Sequence, residues 1–148
     1  MRKETITYTD YFGAEQTRDF YFHYSEAELA KMELGTTGGI TRFVEKIVQT
    51  KDNPKLTELF ESFILDAYGE KSEDGQRFIK NDEVREGFKQ TPAYSILFMK
   101  LMTDDEALAE FITQVIPEDV RTRAAKVEAE NEGITTKIFS NAQIEAKQ

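Results

Sequence analysis

No cysteine occurs in the 148 residues. That excludes a disulfide framework, a Cys-ligated zinc and a thiol nucleophile, and it suits a reducing cytosol. Histidine is nearly absent. The one imidazole, His23, falls in an alternating, strand-like run, where a locally hydrogen-bonded side chain is the expected role rather than a general base. No Gly-Lys-Ser/Thr phosphate loop is present, and Gly38-Gly39 alone is a weak sign of one. No apolar run approaches the ~20 residues that span a bilayer, and Met1 to Thr5 lacks the apolar stretch of a signal peptide. Positive charge is also short: 19 Lys and Arg against 28 Asp and Glu, a net charge of −9. A field of that sign repels phosphate backbones, and the basic residues are scattered among acids, so no nucleic-acid partner and no membrane partner is expected.

What is present is core material. Hydrophobic residues make up 39% of the chain and include 11 Phe and 6 Tyr, enough for one domain of this length to bury a sizeable core. The N-terminal segment alternates with a period of two. Ile6 and Tyr8 stand between threonines, and Phe20, Phe22 and Tyr24 stand between Asp19, Tyr21 and His23. Two such runs joined by Asp10 to Gln16, with Gly13 where a positive φ is easiest, predict a β-hairpin. A hairpin is not stable alone, so one face must pack on helices.

The following sequence has helical spacing. Ser25 and Glu28 form a capping box for a helix ending near Gly35, and Thr36 to Gly39 reads as a linker. Ile40, Phe43, Val44, Ile47 and Val48 make one apolar face. Asn53-Pro54 opens a second face of Leu56, Leu59, Phe60, Phe63, Ile64, Ala67 and Tyr68, stopped by Gly69. Val84 and Phe88 mark a short helix. Thr91-Pro92 caps another, with Tyr94, Leu97, Phe98, Leu101 and Met102 on one side. Thr103 to Glu106 reads as a second capping box, for a helix carrying Leu108, Phe111, Ile112, Val115 and Ile116 to Pro117. The expected fold is therefore α+β and mostly α: an N-terminal β-hairpin packed on a bundle of about six helices over residues 1–117. Residues 118–148 form a charged, partly helical C-terminal extension with a thin apolar face, broken at Gly133.

The stretch AYGEKSEDGQRFIKNDE, residues 67–83, crowds acids and turn formers together. With Gly75 at the bend of a calcium loop, Glu70, Ser72 and Asp74 take the first, third and fifth positions. The apolar eighth position is then Arg77 and the bidentate twelfth is Asn81, so the pattern fails twice, and Lys71 adds positive charge. A connector fits better: a turn at Ser72 to Gly75, an extended piece anchored by Phe78 and Ile79, a cap at Asn81 or Asp82, and Lys80 on the polar side. The carboxylate pairs Glu73-Asp74 and Asp104-Asp105 lie at a turn and a helix start, with no sign of the burial that acid–base work requires. No catalytic residue, metal site or cofactor is expected.

Residues 68–104, YGEKSEDGQRFIKNDEVREGFKQTPAYSILFMKLMTD, resemble the central block of tail assembly chaperones from long-tailed phages and prophages of Gram-positive bacteria. Residues 8–33, YTDYFGAEQTRDFYFHYSEAELAKME, resemble the hairpin and first helix of the same proteins, as does FITQVIP near Pro117. The resemblance spans roughly residues 5–117 and rests on the length and order of these blocks, since the family has no catalytic signature. It implies a non-enzymatic protein of the host cell cytoplasm that binds the tape measure protein, a long helical chain that sets tail length. The family keeps that chain soluble until tail tube subunits polymerise around it. The partners implied are thus the tape measure protein and the tail tube protein, with a homo-oligomer also open. The alternative is a small structural or adaptor component retained in the virion.

A chaperone must present apolar groups that its own fold does not use. In the helix after Pro92, Ile96 and Met99 lie off the main apolar stripe, and methionine suits a surface that accepts varied ligands. They are either covered by the hairpin or first helix, or they face a partner. Tyr11 and Phe12 in the hairpin loop are a second candidate, set against the alternative that they fold back onto the core. Ile138 and Phe139 in the C-terminal extension are a third.

Overall fold

The computed structural model describes residues 1–117. Strands β1 (Arg2–Thr9) and β2 (Glu15–Phe22) form the antiparallel hairpin, with Thr5 opposite Asp19 and Thr7 opposite Thr17. The period of two sorts the faces. Glu4, Ile6, Phe20 and Phe22 point inward and are buried. The outer face carries a polar ladder, with the Thr5 hydroxyl donating to Asp19 at 2.6 Å and the Thr7 and Thr17 hydroxyls 2.9 Å apart.

Helix α1 (Glu26–Gly35) opens with both halves of the capping box: Ser25 Oγ accepts from the Glu28 amide and Glu28 Oε1 accepts from the Ser25 amide. Helix α2 (Gly39–Gln49) begins inside the expected linker. Its Ile40 and Ile47 are buried and Phe43 and Val44 pack at the core margin, but Val48 is exposed: the core takes a narrower stripe than the sequence offers. Asn53 caps only a 3₁₀ turn, Pro54–Leu56, before helix α3 (Thr57–Ala67) begins.

Gly69 does not end α3 as a C-cap. Ala67 is its last residue, and Tyr68–Lys71 is strand β3, paired through Tyr68 and Gly69 with Phe22 and Tyr21. A short β4 (Phe78–Ile79) pairs with β3 and completes a four-stranded sheet in the order β1-β2-β3-β4. Glycine is needed at position 69 for space, because a Cβ there would sit 2.6 Å from Cε2 of Phe78.

Helix α4 (Asp82–Lys89) is capped by Asn81, and α5 (Pro92–Thr103) by Thr91. The N-cap of α6 (Asp105–Val115) is Asp104, not Thr103. The Asp104 carboxylate accepts from the amides of Glu106 and Ala107, whereas Thr103 closes α5 and its hydroxyl donates to the Met99 carbonyl. A carboxylate held at a helix N-terminus gains from the dipole, which favours Asp over the neighbouring hydroxyl.

Sheet and helices meet in an aromatic core. Phe22 of β2 and Phe63 of α3 both set an edge against Phe111 of α6, with centroids 5.2 and 5.8 Å away. Phe22, Phe60, Phe63 and Phe111 are all fully buried. Such contacts add ~0.5–1.5 kcal/mol per pair beyond the area they bury. None of the described helices is long and apolar enough to cross a membrane.

Candidate partner-binding surface

Thr91 and Pro92 start α5 at a fixed point, with the Thr91 hydroxyl accepting from the Tyr94 amide at 3.3 Å. From there the helical period buries Ala93, Tyr94, Leu97 and Leu101 and sends Ile96 and Met99 outward. Ile96 is 43% exposed and Met99 56%, so neither the hairpin nor α1 covers them. Phe98 holds the intermediate position, its ring edge-on to Phe60 at 5.4 Å.

The helix is held in place by a buried carboxylate that sequence reading missed. Glu4 of β1 is 4% exposed, with Arg2 Nε at 2.9 Å and Lys100 Nζ of α5 at 3.4 Å. Arg2 also donates to Gln114 Oε1 of α6 at 3.1 Å. The period of two continues back from Ile6 to Glu4 and could have placed this side chain inward. A buried charge is tolerated only when paired, and this pairing fixes α5 and α6 against β1.

At the far end of the hairpin, Tyr11 and Phe12 do not fold back onto the core. They are 84% and 99% exposed. Asp10 shapes their loop: its Oδ1 accepts from the amides of Phe12 and Ala14, both at 2.9 Å, and its Oδ2 accepts from Gln16 Nε2 at 3.0 Å. The bond from Gln16, then those from Ala14 and Phe12, hold the Asp10 carboxyl below its ordinary pKa. Gly13 supplies the positive φ of +84°. The aromatic pair therefore stands on a rigid turn. Ile138 and Phe139 lie outside the described residues.

A third feature was not legible beforehand, a cleft of about 410 Å³ between the hairpin and α4. Tyr8, Phe20, Tyr68 and Phe88 line it, with Glu70 and Glu83 among its polar groups. Tyr68 stacks on Phe88 at 4.2 Å. Burial, followed by the charge and hydrogen bond of Glu70, pushes the Tyr68 hydroxyl up to about 12. The cleft depends on β3, which brings Tyr68 beside Phe20 and which the sequence pattern did not reveal.

The remaining polar candidates have local partners. The His23 ring packs edge-on to Phe78 at 6.0 Å, and its amide donates to the Ala67 carbonyl at 2.8 Å. Burial, helped by the N-terminus and Lys80, lowers its pKa. In the connector, Asp74 Oδ1 accepts from the Ser72 hydroxyl at 2.7 Å and the Gln76 amide at 3.1 Å. Among the described residues no group of three or more His, Asp or Glu side chains is arranged to hold a metal ion. Lys80 is not a free polar side chain. Its ammonium donates to the His23 carbonyl and to Glu28 Oε2 and lies 4.8 Å from the Tyr24 ring centroid.

Comparison with known protein families matches a family model described as phage tail assembly chaperone over residues 1–148. It runs through residues 118–148, beyond the blocks on which the resemblance rested. Comparisons with curated proteins and with solved structures return no match.

Proposed function

The chain belongs to the phage tail assembly chaperone family, and from that premise we propose that it binds the tape measure protein and keeps it soluble during tail assembly. The observation that carries this reading is the outward pair Ile96 and Met99 on a helix whose opposite side is locked into the core. Their exposure does not help the fold, and a helical partner with an apolar stripe would cover them. The flexible thioether of Met99 can follow successive, unequal segments of a long chain.

Family membership implies a protein partner in tail assembly and points away from catalysis. The working cycle we infer is non-enzymatic and runs in the host cell cytoplasm. The chaperone masks apolar helix faces of the tape measure protein and yields them as tail tube protein polymerises. Residues 1–117 serve as the binding domain. In residues 118–148, Ile138 and Phe139 are a further proposed contact. The reading is tested by co-expressing the tape measure protein with and without this chain. The expected result is a soluble complex only in its presence, and absence of this chain from purified particles. A tape measure protein equally soluble alone, or this chain present in finished tails, contradicts it, the latter favouring a structural component.

A further inference from the structure

Of helices α1 to α6, only α5 contains no Asp or Glu, in a chain that carries 28 of them. Its exposed residues are Ser95, Ile96, Met99, Lys100 and Thr103. The Lys100 ammonium is therefore the only charge on the outward face. Ile96 and Lys100 are one helical turn apart, so the cation borders the apolar pair directly.

The ammonium is held at this border by β1. The two carboxylate oxygens of buried Glu4 are divided between two cations, with Arg2 Nε 2.9 Å from Oε1 and Lys100 Nζ 3.4 Å from Oε2. The contact to Lys100 is the longer, and it is the one hydrogen bond of that ammonium among the described residues. An ammonium has three donors, and the Lys100 side chain is 47% exposed. Donors therefore remain for a partner. Glu110 of α6 pairs with Arg2 at 3.4 Å, not with Lys100.

Resting on the reading of α5 as the partner-binding surface, we propose that the segment it takes is an amphipathic helix whose apolar stripe is bordered by a carboxylate, and that Lys100 selects it. Apolar side chains of the guest cover Ile96 and Met99, and an Asp or Glu one turn along the guest accepts from Lys100. A guest with Lys or Arg at that place sets two cations against each other. An apolar pair alone discriminates little among greasy segments, whereas a charge at its margin fixes register and choice more than affinity. The selection runs against the field of the whole chain, whose net charge of −9 attracts basic segments. At ~0.15 M salt charges are screened over ~8 Å, so the cation beside the patch outweighs the remote acids.

The test uses the full chain and two synthetic helical peptides that share one apolar stripe of Leu, bordered by Glu in the first and by Lys in the second. Fluorescence anisotropy gives both dissociation constants. The Glu peptide should bind roughly two- to fivefold more tightly, the range of an exposed ion pair, and ~1 M salt should erase the difference. Lys100→Gln, whose amide can still donate to Glu4, should remove the preference while both peptides continue to bind. Ile96→Ser with Met99→Ser should lose both peptides. Equal affinities in the parent chain, a preference for the Lys peptide, or a preference that survives Lys100→Gln overturns the proposal and leaves the apolar surface standing. A parent chain that binds neither peptide, or binding that survives the double substitution, overturns the reading of α5 itself and the proposal with it.

Discussion

The ammonium of Lys80 lies 2.8 Å from the Glu28 carboxylate, joining the connector before α4 to the capping box of α1. The same ammonium donates to the His23 carbonyl at 2.5 Å and lies above the Tyr24 ring. One cation thus ties together the end of the hairpin, the first helix and β4.

Lys80→Met keeps an unbranched apolar stem and removes the charge together with its hydrogen bonds to His23 and Glu28. The Lys80 side chain is 13% exposed and Glu28 37%, so solvent screens part of the pair. Allowing for that, the substitution should cost ~1–2 kcal/mol, read from the denaturant midpoint. A midpoint unchanged within error would mean that the cation is not a structural tie.

Phe63 packs against rings of α2, of α6 and of the connection between β2 and α1. Tyr24 is stacked at 5.7 Å, and Phe43 and Phe111 are edge-on at 5.8 Å. Its 1% exposure makes Phe63→Ala a cavity mutation. The expected loss is ~3–5 kcal/mol, a large part of the stability of an ordinary domain. A variant melting within a degree or two of the parent would rule out this core placement.

Stability should also fall in two steps with acid. Burial keeps the His23 pKa below its ordinary 6.5, so just below that pH the unfolded chain holds a proton that the folded chain does not. The contribution is fully present above 6.5 and is lost as pH falls through the folded value. Glu28 gives the second step. Burial alone would raise its carboxyl, but the bonds from Lys80 and Ser25 outweigh this and hold it below 4.5. That contribution is present above 4.5 and disappears at lower pH. His23→Gln should flatten the first step and leave the second. Melting curves across pH that keep both steps in the variant would contradict the assignment.

These groups also show what the sequence could reveal. Local signals were legible: the Ser25–Glu28 box, the alternation of the hairpin and the position of Ile96 and Met99 off the main stripe of α5 all depend on spacing within one element, whereas whether another element covered that pair did not. Long-range pairing was not. Strand β3 exists because Tyr68 and Gly69 meet Phe22 and Tyr21 from a distant part of the chain, and four residues carry too little pattern to announce a strand. Lys80 looked like a solvated side chain because its partners, His23 and Glu28, come from elsewhere. The cleft beside α4 needs β3 and the hairpin together, so no single segment encodes it.

The central claim is that the outward face of α5 holds the tape measure protein, and its most direct test is one double substitution. Ile96→Ser with Met99→Ser should leave the melting temperature near that of the parent, since both side chains are largely outside the core. The measurement is the soluble fraction of co-expressed tape measure protein, with Lys31→Ser, an exposed site on α1, as control. The account predicts that the double variant loses the soluble complex while the control keeps it. A folded double variant that still holds the tape measure protein in solution would contradict it.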